Sequence, residues 1–241
     1  MVIPKIMHQT ARSKTLAWEE ERLARRLRRL LPGWTYRLWD DDDNSRLIAT
    51  HFPQYAERYE RISFGVAKAD IARYAYLAIE GGFYFDTDYR LLKTIDDRVL
   101  RERCIIPIEN VRPPGDGADP TSIELGNAIM ASAPGHPFWA ALIEFIFERN
   151  RPELIRDQRH IVPGTGPGAV TDFYHEHRAE YPDVAVPSKN AFQPDIACFA
   201  FRTSADRDTY GVHLHWGSWR GRSPGVAARI FLRRKLNGLF S

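Results

Sequence analysis

The sequence is poor in cysteine, in long apolar runs and in net charge, and each shortage excludes a class of protein. Its 241 residues contain two cysteines, Cys104 and Cys198, which stand far apart without a CxxC or Cys-His spacing. Neither a zinc knuckle nor a disulfide framework is therefore predicted. No apolar run reaches the roughly 18 residues that a membrane-spanning helix needs. A formal net charge of +3 gives no reason to expect a nucleic-acid partner.

The opening residues MVIPKIMHQT lack the charged start, apolar segment and cleavage site of a secretory leader. Together with the isolated cysteines, this favours a cytoplasmic location. The composition, 44% hydrophobic and 27% charged, is that of a globular protein. The length suits one domain over residues 1–241, with 220–241 as a basic amphipathic C-terminal tail.

That tail carries six basic side chains and no acidic one, with apolar residues between them. Two interpretations stay open. The tail can lie peripherally on an anionic membrane at its inner face, where a lipid-linked acceptor would reside. It can equally be an ordinary terminal helix that packs on the domain.

Strand-like and helix-like patterns alternate along the chain. Predicted strands cover 2–7, 34–39, 83–92 and 104–108, and predicted helices cover 15–31, 45–51, 63–80, 137–149 and 168–177. This alternation predicts an α/β sandwich with a mainly parallel sheet. Ligands of such sheets bind outside the carboxyl ends of the strands. The rule selects His8-Gln9-Thr10, Asp40 and Asp86-Thr87-Asp88 for one crevice, although Asp40 also suits a helix N-cap.

The segment GGFYFDTDYR, from Gly81 to Arg90, places two aspartates directly after an aromatic strand. In an extended segment side chains alternate, so Asp86 and Asp88 face the same way. Two carboxylates suit Mg²⁺ or Mn²⁺ and leave coordination positions for water and phosphate oxygens. The pattern predicts a metal-diphosphate site, with a polar strand end as the alternative.

The helix before this segment is apolar nearly all round from Ala69 to Ile79, except for Asp70 and Arg73. These two residues are three apart and share one face. They form either an intrahelical ion pair that satisfies itself or a ligand-binding pair. In the second case Asp70 binds sugar or ribose hydroxyls and Arg73 binds a phosphate or sugar oxygen.

The motif HLHWGSW, residues 213–219, is a second polar cluster. A neutral imidazole can ligate Mn²⁺, and both histidines can project to one side of an extended segment. Ser218 can donate to a phosphate, and the indole of Trp219 is a donor only. With the aspartates upstream we favour this interpretation for His215 over a polar loop with buried tryptophans, and expect a structural role for His213.

Four segments, IPKIMHQT, WTYRLWDDD, KADIARYAYLAIEGGFYFDTD and HLHWGSW, together resemble glycosyltransferase family 32. This family includes Golgi outer-chain mannosyltransferases and bacterial capsule or lipopolysaccharide enzymes. The resemblance implies a GT-A fold, with a Rossmann-like sheet between helices, and a nucleotide-diphosphate sugar donor. It also implies a divalent metal, usually Mn²⁺, and retention of anomeric configuration. We expect a hexosyltransferase that uses a UDP- or GDP-sugar and a saccharide or lipid-linked acceptor.

The resemblance also implies residue roles. The catalytic set is Asp70, Arg73, Asp86 and Asp88. The metal ligands are Asp86, Asp88 and His215. The nucleotide-sugar contacts are His8, Gln9, Thr10, Asp70, Arg73, Asp86, Ser218 and Trp219. Gly164 to Pro167 resembles a family loop, and Asn127 lies where acceptor-side loops are usual.

Two other functions stay open. A Mg²⁺-dependent phosphohydrolase with an aspartyl nucleophile also shows a DxD after a strand, but here Arg90 follows where Thr or Val is usual. The acidic pair Asp96-Asp97 also comes too soon to return to the site. The other function is a nucleotide-sugar-binding module that has lost turnover.

Overall fold

The computed structural model describes residues 2–111, 123–195 and 208–217. The predicted tail, Cys198, Ser218 and Trp219 lie outside these residues. The strands are β1 Ile6–Thr10, β2 Thr35–Trp39, β3 Gly82–Phe85, β4 Tyr89–Leu91, β5 Cys104–Ile105, β6 Ile108–Val111, β7 Ile123–Leu125, β8 Ile129–Ser132, β9 Val184–Ala185 and β10 Gly211–His213. The α-helices are α1 Trp18–Leu30, α2 Asp41–His51, α3 Ala56–Glu60, α4 Gly65–Ile79, α5 Asp97–Leu100, α6 Pro137–Phe145, α7 Ile161–Gly164, α8 Pro167–His177 and α9 Lys189–Phe192.

Six strands form the central sheet in the order β2-β1-β3-β8-β5-β9. β1 is parallel to both β2 and β3, and β5 is parallel to β9, whereas β8 runs antiparallel to β3 and β5. The sheet is therefore mainly parallel, as predicted. Two antiparallel ribbons, β4-β10 and β6-β7, lie beside it.

The register of β1 brings three carboxyl ends to one edge of the sheet. Met7 pairs with both Tyr36 and Phe83, so β1, β2 and β3 run side by side in the same direction. Their last residues are Thr10, Trp39 and Phe85. The polar residues that follow these strands therefore meet at one edge, as the rule for parallel sheets predicts.

Alternation along β3 divides the core between two faces of the sheet. Tyr84 packs into the cluster that contains α4 and α6, while Phe83 and Phe85 pack on the opposite face with Leu27 of α1. α4 is buried over most of its surface because almost all its side chains are apolar or aromatic. Its Tyr76 ring stacks on Trp39 with 4.6 Å between centroids. The helix that carries Asp70 and Arg73 is thereby fixed against the sheet.

The double glycine lets β3 follow α4 directly and enter the sheet. Gly81 and Gly82 have φ angles of +66° and +88°, which side chains rarely adopt. A Cβ atom on Gly82 would lie 2.7 Å from the carbonyl oxygen of Ile6, and one on Gly81 would lie 2.6 Å from the nitrogen of Pro134. Only glycine permits this close approach of backbones.

Three strand predictions need correction. β1 begins at Ile6 rather than residue 2, and the predicted strand 104–108 is divided into β5 and β6. β3 ends at Phe85, because residues 86–88 form a turn in which the Tyr89 N–H donates to the Asp86 carbonyl at 3.0 Å. The extended geometry predicted for the two aspartates is therefore wrong.

The described residues contain no helix that is long and apolar enough to cross a membrane.

Candidate active site

A cleft of about 1160 Å³ opens at the edge where β1, β2 and β3 end. Among the residues predicted to form a site, those lining it are Thr10, Asp70, Arg73, Asp86, Asp88 and His215. These residues come from four distant segments of the sequence and meet in one cleft.

Arg73 connects the helix pair to the DXD turn. Its Nη2 lies 3.2 Å from Asp70 Oδ1, and its Nη1 lies 3.0 Å from Asp86 Oδ1. Nη1 also donates to the Asn127 carbonyl oxygen at 2.9 Å, and the guanidinium lies over the Tyr84 ring. The intrahelical ion pair exists, but Arg73 also holds a second carboxylate at the floor of the cleft.

Asp70 is 4% exposed and is held by partners from three segments. Asn127 Nδ2 donates to Oδ1 at 2.9 Å, and Thr165 Oγ1 donates to Oδ2 at 2.9 Å. Burial raises the pKa of Asp70, although Arg73 and the Thr165 hydroxyl act in the opposite direction. The carboxylate is therefore fixed in one orientation.

Asn127 and Thr165 were only partly identified from sequence. Asn127 was expected near the acceptor, and the structure places it in the buried shell of Asp70 and Tyr74. Thr165 belongs to the loop 164–167, which resembles a loop of glycosyltransferase family 32 but had no predicted role. Its link to Asp70 joins residues 95 positions apart, so no local pattern could have predicted it.

The two aspartates of the DXD turn are anchored in different ways. Asp86 accepts from the Tyr84 hydroxyl at 2.6 Å, and its backbone N–H donates to the Ala128 carbonyl at 2.8 Å. Asp88 accepts from the Trp216 backbone N–H at 2.8 Å, and its carbonyl accepts from the Leu214 N–H at 3.1 Å. Asp86 is therefore anchored to the end of the central sheet, whereas Asp88 is anchored to the segment that follows β10.

The β4-β10 ribbon brings His213, rather than His215, to the aspartates. Because His213 pairs with Tyr89, its Nε2 lies 3.1 Å from Asp88 Oδ1 and 3.7 Å from Asp86 Oδ2. The ligand atoms of Asp86, Asp88 and His213 all lie within 4.8 Å of one another. His213, for which a structural role was expected, therefore lies where a metal ligand would be needed.

His215 follows the end of β10 and has a positive φ of 49°. Its ring centroid is 3.9 Å from that of His213, and its ligand atoms group with those of Glu109 and His213. His215 lines the same cleft as Asp86 and Asp88, but its ligand atoms group with those of Glu109 and His213 rather than with those of the two aspartates.

Electrostatics within the cluster favour bound positive charge. Burial acts to lower the pKa of His213, but the Asp88 carboxylate outweighs it and the pKa is raised to about 9. Burial acts to raise the pKa of Asp88, yet His213 and the Trp216 N–H bring it below its usual value. Burial raises the pKa of Asp86. Two carboxylates thus share one imidazolium when no cation is bound. A divalent cation would displace the proton from Nε2 of His213, and the resulting set of two oxygens and one neutral nitrogen suits Mn²⁺ or Mg²⁺.

His8 and Gln9 lie beneath the cleft, and only Thr10 of this segment lines it. His8 is 0% exposed, donates from Nε2 to the Gly81 carbonyl at 2.8 Å, and accepts from Trp39 Nε1 at 3.0 Å. Burial, above all, lowers its pKa from 6.5 to about 4, so the ring is neutral. The place predicted for His8, in the nucleotide pocket, is thereby corrected.

Gln9 supports the DXD turn from below. Its Nε2 donates to the Asp86 carbonyl at 3.1 Å, and its Oε1 accepts from the Tyr36 hydroxyl at 2.8 Å. With 1% of its surface exposed, Gln9 also lies under the cleft rather than in the predicted pocket. Its amide therefore links β1 to Tyr36 of β2 and to the turn that follows β3.

Other acidic candidates lie in two different places. Asp40 caps α2 by accepting from the Asp43 N–H at 2.9 Å, which confirms the capping interpretation. Asp96 does not line the cleft; its carboxylate caps the N-terminus of α5 and accepts a hydrogen bond from the Tyr210 hydroxyl. Glu109 of β6 does line the cleft, and burial raises its pKa.

Comparison with known proteins supports the resemblance. A family model described as a glycosyltransferase sugar-binding region containing a DXD motif matches residues 18–105, which include α4 and both aspartates. The chain is 25% identical to inositol phosphoceramide mannosyltransferase 2 of Schizosaccharomyces pombe, over 93% of this chain and 60% of the relative. It is 26% identical to the initiation-specific alpha-1,6-mannosyltransferase of that yeast, over 90% of this chain and 64% of the relative. These matches confirm the predicted resemblance to the DXD-containing glycosyltransferases.

The fold is of the GT-A type. The solved structure titled PaToxG Glycosyltransferase is similar, with a TM-score of 0.56 and 16% identity, over 75% of this chain and 71% of that one. Its likeness supports the fold prediction. The chain spans roughly three fifths of the length of the two yeast relatives, which matched over 60% and 64% of their residues.

Proposed function

We propose that this protein transfers a hexose, with mannose as the first candidate, from a nucleotide-diphosphate sugar to a hydroxyl of a saccharide or glycolipid. The observation that carries the proposal is the meeting of Asp86, Asp88 and His213 with the Asp70–Arg73 pair in one cleft. Relatives named as mannosyltransferases support mannose, and a relative named for inositol phosphoceramide supports a glycolipid acceptor.

The site fits a divalent cation, Mn²⁺ or Mg²⁺, held by Asp86, Asp88 and His213. The fit rests on their ligand atoms, which all lie within 4.8 Å of one another. Such a set leaves positions for water and for diphosphate oxygens. When bound, the cation would offset the negative charge that develops on the departing nucleoside diphosphate.

The protein's own groups supply orientation and fixed charge. Arg73 keeps a positive charge at the cleft floor and holds Asp70 and Asp86 at 3.2 and 3.0 Å. Because Asn127 and Thr165 fix Asp70, that carboxylate can accept from donor hydroxyls without reorganising. Glu109, whose carboxylate lies beside His213 and His215 in the cleft, would orient an acceptor hydroxyl. We expect retention of anomeric configuration, and assign no covalent nucleophile.

A thermal-shift experiment tests the donor site. The wild-type protein is heated with UDP, GDP, CDP and their sugars, each with and without Mn²⁺. We expect a shift for one diphosphate only when the metal is present. Asp88→Asn should abolish this shift and reduce sugar transfer at least ~100-fold, since it removes a metal ligand.

Asp97→Asn is the matched control, because Asp97 is an exposed carboxylate on α5 outside the cleft lining. It should retain the metal-dependent shift and the transfer of sugar. A shift that survives in Asp88→Asn, or no shift with any nucleotide, would contradict the donor site. Hydrolysis of a phosphate monoester would instead support the phosphohydrolase, and donor binding without transfer would support the inactive module.

A further inference from the structure

A second cavity, of about 440 Å³, lies between α1 and β4. We call it the arginine pocket, after the described residues that line it: Arg22, Leu23, Arg25, Arg26, Arg29 and Arg90. Four of the arginines occupy positions i, i+3, i+4 and i+7 of α1, which places them on one stripe of the helix. No acidic residue is among this lining.

The walls of the arginine pocket are fixed by backbone contacts and packing. Arg26 Nε donates to the Leu91 carbonyl at 2.6 Å, which ties α1 to β4. Tyr89 and Leu91 are buried in the core, so the alternation of the strand turns Arg90 to the opposite side, towards α1. Leu23 packs with Val212 of β10 in a small apolar cluster. The arginines are therefore held together by the fold.

The positive charge of the four α1 arginines is only weakly compensated by carboxylates within the described part of the chain. Arg25 has one carboxylate, Glu21, at 3.7 Å. Arg22, Arg26 and Arg29 form no ion pair with the carboxylates that the structure describes. Burial lowers the pKa of Arg26, and the like charge of the neighbouring Arg29 lowers it further.

Elsewhere in the described residues, several arginines are paired with carboxylates. Arg58, for example, lies 2.8 Å from Glu148 and 3.0 Å from Glu153, two carboxylates from a distant part of the chain. In contrast, the structure describes no ion pair for Arg22, Arg26 or Arg29 of the arginine pocket. An added anion would remove the repulsion there.

We propose that the arginine pocket binds a phosphate-bearing anion, either a free polyphosphate or the head group of a phosphorylated lipid, as a site distinct from the cleft. Guanidinium groups present planar pairs of donors that match phosphate oxygens, and several of them converge on one cavity. The site adjoins the cleft across a single helix, since Glu20 of α1 lines the cleft and accepts from Thr87 Oγ1 at 3.2 Å.

Two probes test the arginine pocket and distinguish the two sources of phosphate. Inositol hexakisphosphate is titrated calorimetrically, and vesicles of phosphatidylcholine with or without phosphatidic acid are tested by co-sedimentation. Both measurements use the full chain in EDTA, so the six basic residues of 220–241 are constant and no metal assists binding in the cleft. The proposal therefore does not depend on the transfer reaction.

The informative variant is Arg22→Gln with Arg29→Gln, and the matched control is Arg28→Gln with Arg46→Gln. Each removes two positive charges, but Arg28 and Arg46 line neither cavity and pair with Glu21 and Asp43. We expect at least about tenfold weaker binding in the pocket variant, because two charged hydrogen-bonding groups are lost. The control should stay within about twofold of the wild type, since general surface charge contributes little.

Unchanged circular dichroism in both variants verifies folding. Loss of inositol hexakisphosphate binding in the pocket variant alone supports the proposal with a soluble ligand. Loss of binding to phosphatidic-acid vesicles alone supports it with a lipid head group. Equal weakening in the two variants, or binding of neither probe, would overturn it.

Discussion

The two helices α4 and α1 differ in whether their arginines are paired with carboxylates. In α4, Arg73 is 5% exposed and contacts carboxylates of Asp70 and Asp86. In α1, Arg22 and Arg29 line a cavity without an ion pair to any described carboxylate. Arginine is compensated by two carboxylates in α4, whereas Arg22 and Arg29 of α1 have no ion pair with a described carboxylate.

The difference separates two uses of arginine. A buried guanidinium must be paired, because leaving it unpaired in a low-dielectric interior costs several kcal/mol. The pairing in turn fixes the two carboxylates that Arg73 contacts, so its role in the cleft is positioning as well as charge. Partly exposed arginines tolerate repulsion at small cost, and they stay available for an external anion.

The largest effect is expected from removing the buried charge. Arg73→Met would leave the carboxylates of Asp70 and Asp86 without their common partner. We expect it to lower the free energy of unfolding by about 3–5 kcal/mol, the range for breaking a buried pair on one side. Urea denaturation measures this value, and the transfer assay should show loss of activity.

The matched control is Arg46→Met, which removes an exposed guanidinium that also contacts a carboxylate, that of Asp43. Its cost should stay below about 1 kcal/mol. Equal costs at the two positions would contradict the claim that burial distinguishes them.

A second effect concerns the histidine beneath the cleft. His8 is neutral when folded because burial, above all, lowers its pKa from 6.5 to about 4. Between pH 6.5 and pH 4, His8 is protonated in the unfolded chain but stays neutral in the folded protein. The free energy of unfolding must therefore fall as the pH decreases from 6.5 to 4. The shift corresponds to a loss of about 3 kcal/mol at the end of this window.

Urea denaturation of the wild type and His8→Asn across this pH window measures the contribution. The variant should start less stable and should show a smaller decrease towards pH 4, because it lacks the titrating group. His51→Asn, at an exposed position of α2, serves as the control and should follow the wild type. Parallel curves for wild type and His8→Asn would refute the buried, neutral state of His8.

The smallest effect is expected from the arginine pocket itself. Arg29→Gln should change the free energy of unfolding by no more than about 0.5 kcal/mol. The direction should be a slight gain at low salt, because a repulsive charge is removed, and the gain should vanish at high salt. Urea denaturation at both ionic strengths checks this. A clear loss of stability would indicate that Arg29 is compensated after all.

Much of the fold followed from local patterns. The long apolar pattern predicted α4 to within two residues at its start and one at its end, and Gly81-Gly82 predicted the close turn into β3. β8 was not predicted, because Ile129–Ser132 is short and buried throughout and so lacks the alternation of a half-exposed strand. Nor does periodicity fix the direction in which such a strand runs.

The candidate site was predicted in composition but not in all its contacts. Asp70, Arg73, Asp86 and Asp88 were selected from spacing and resemblance, and the structure brings them into one cleft. The position of His213 beside both aspartates depends on the register of β10 against β4, which pairs residues more than a hundred positions apart. A register of this kind is set by packing around both strands.

The sequence by itself determined the alternating elements, the buried helix with its charged pair and the acidic turn after an aromatic strand. These features arise from local periodicity and backbone preference, which act over a few residues. Only the tertiary structure decided that Asn127 and Thr165 hold Asp70, that His8 and Gln9 lie beneath the cleft, and that four arginines of α1 meet a fifth from β4. Those relations depend on long-range packing, in which the surroundings of each polar group are supplied by distant parts of the chain.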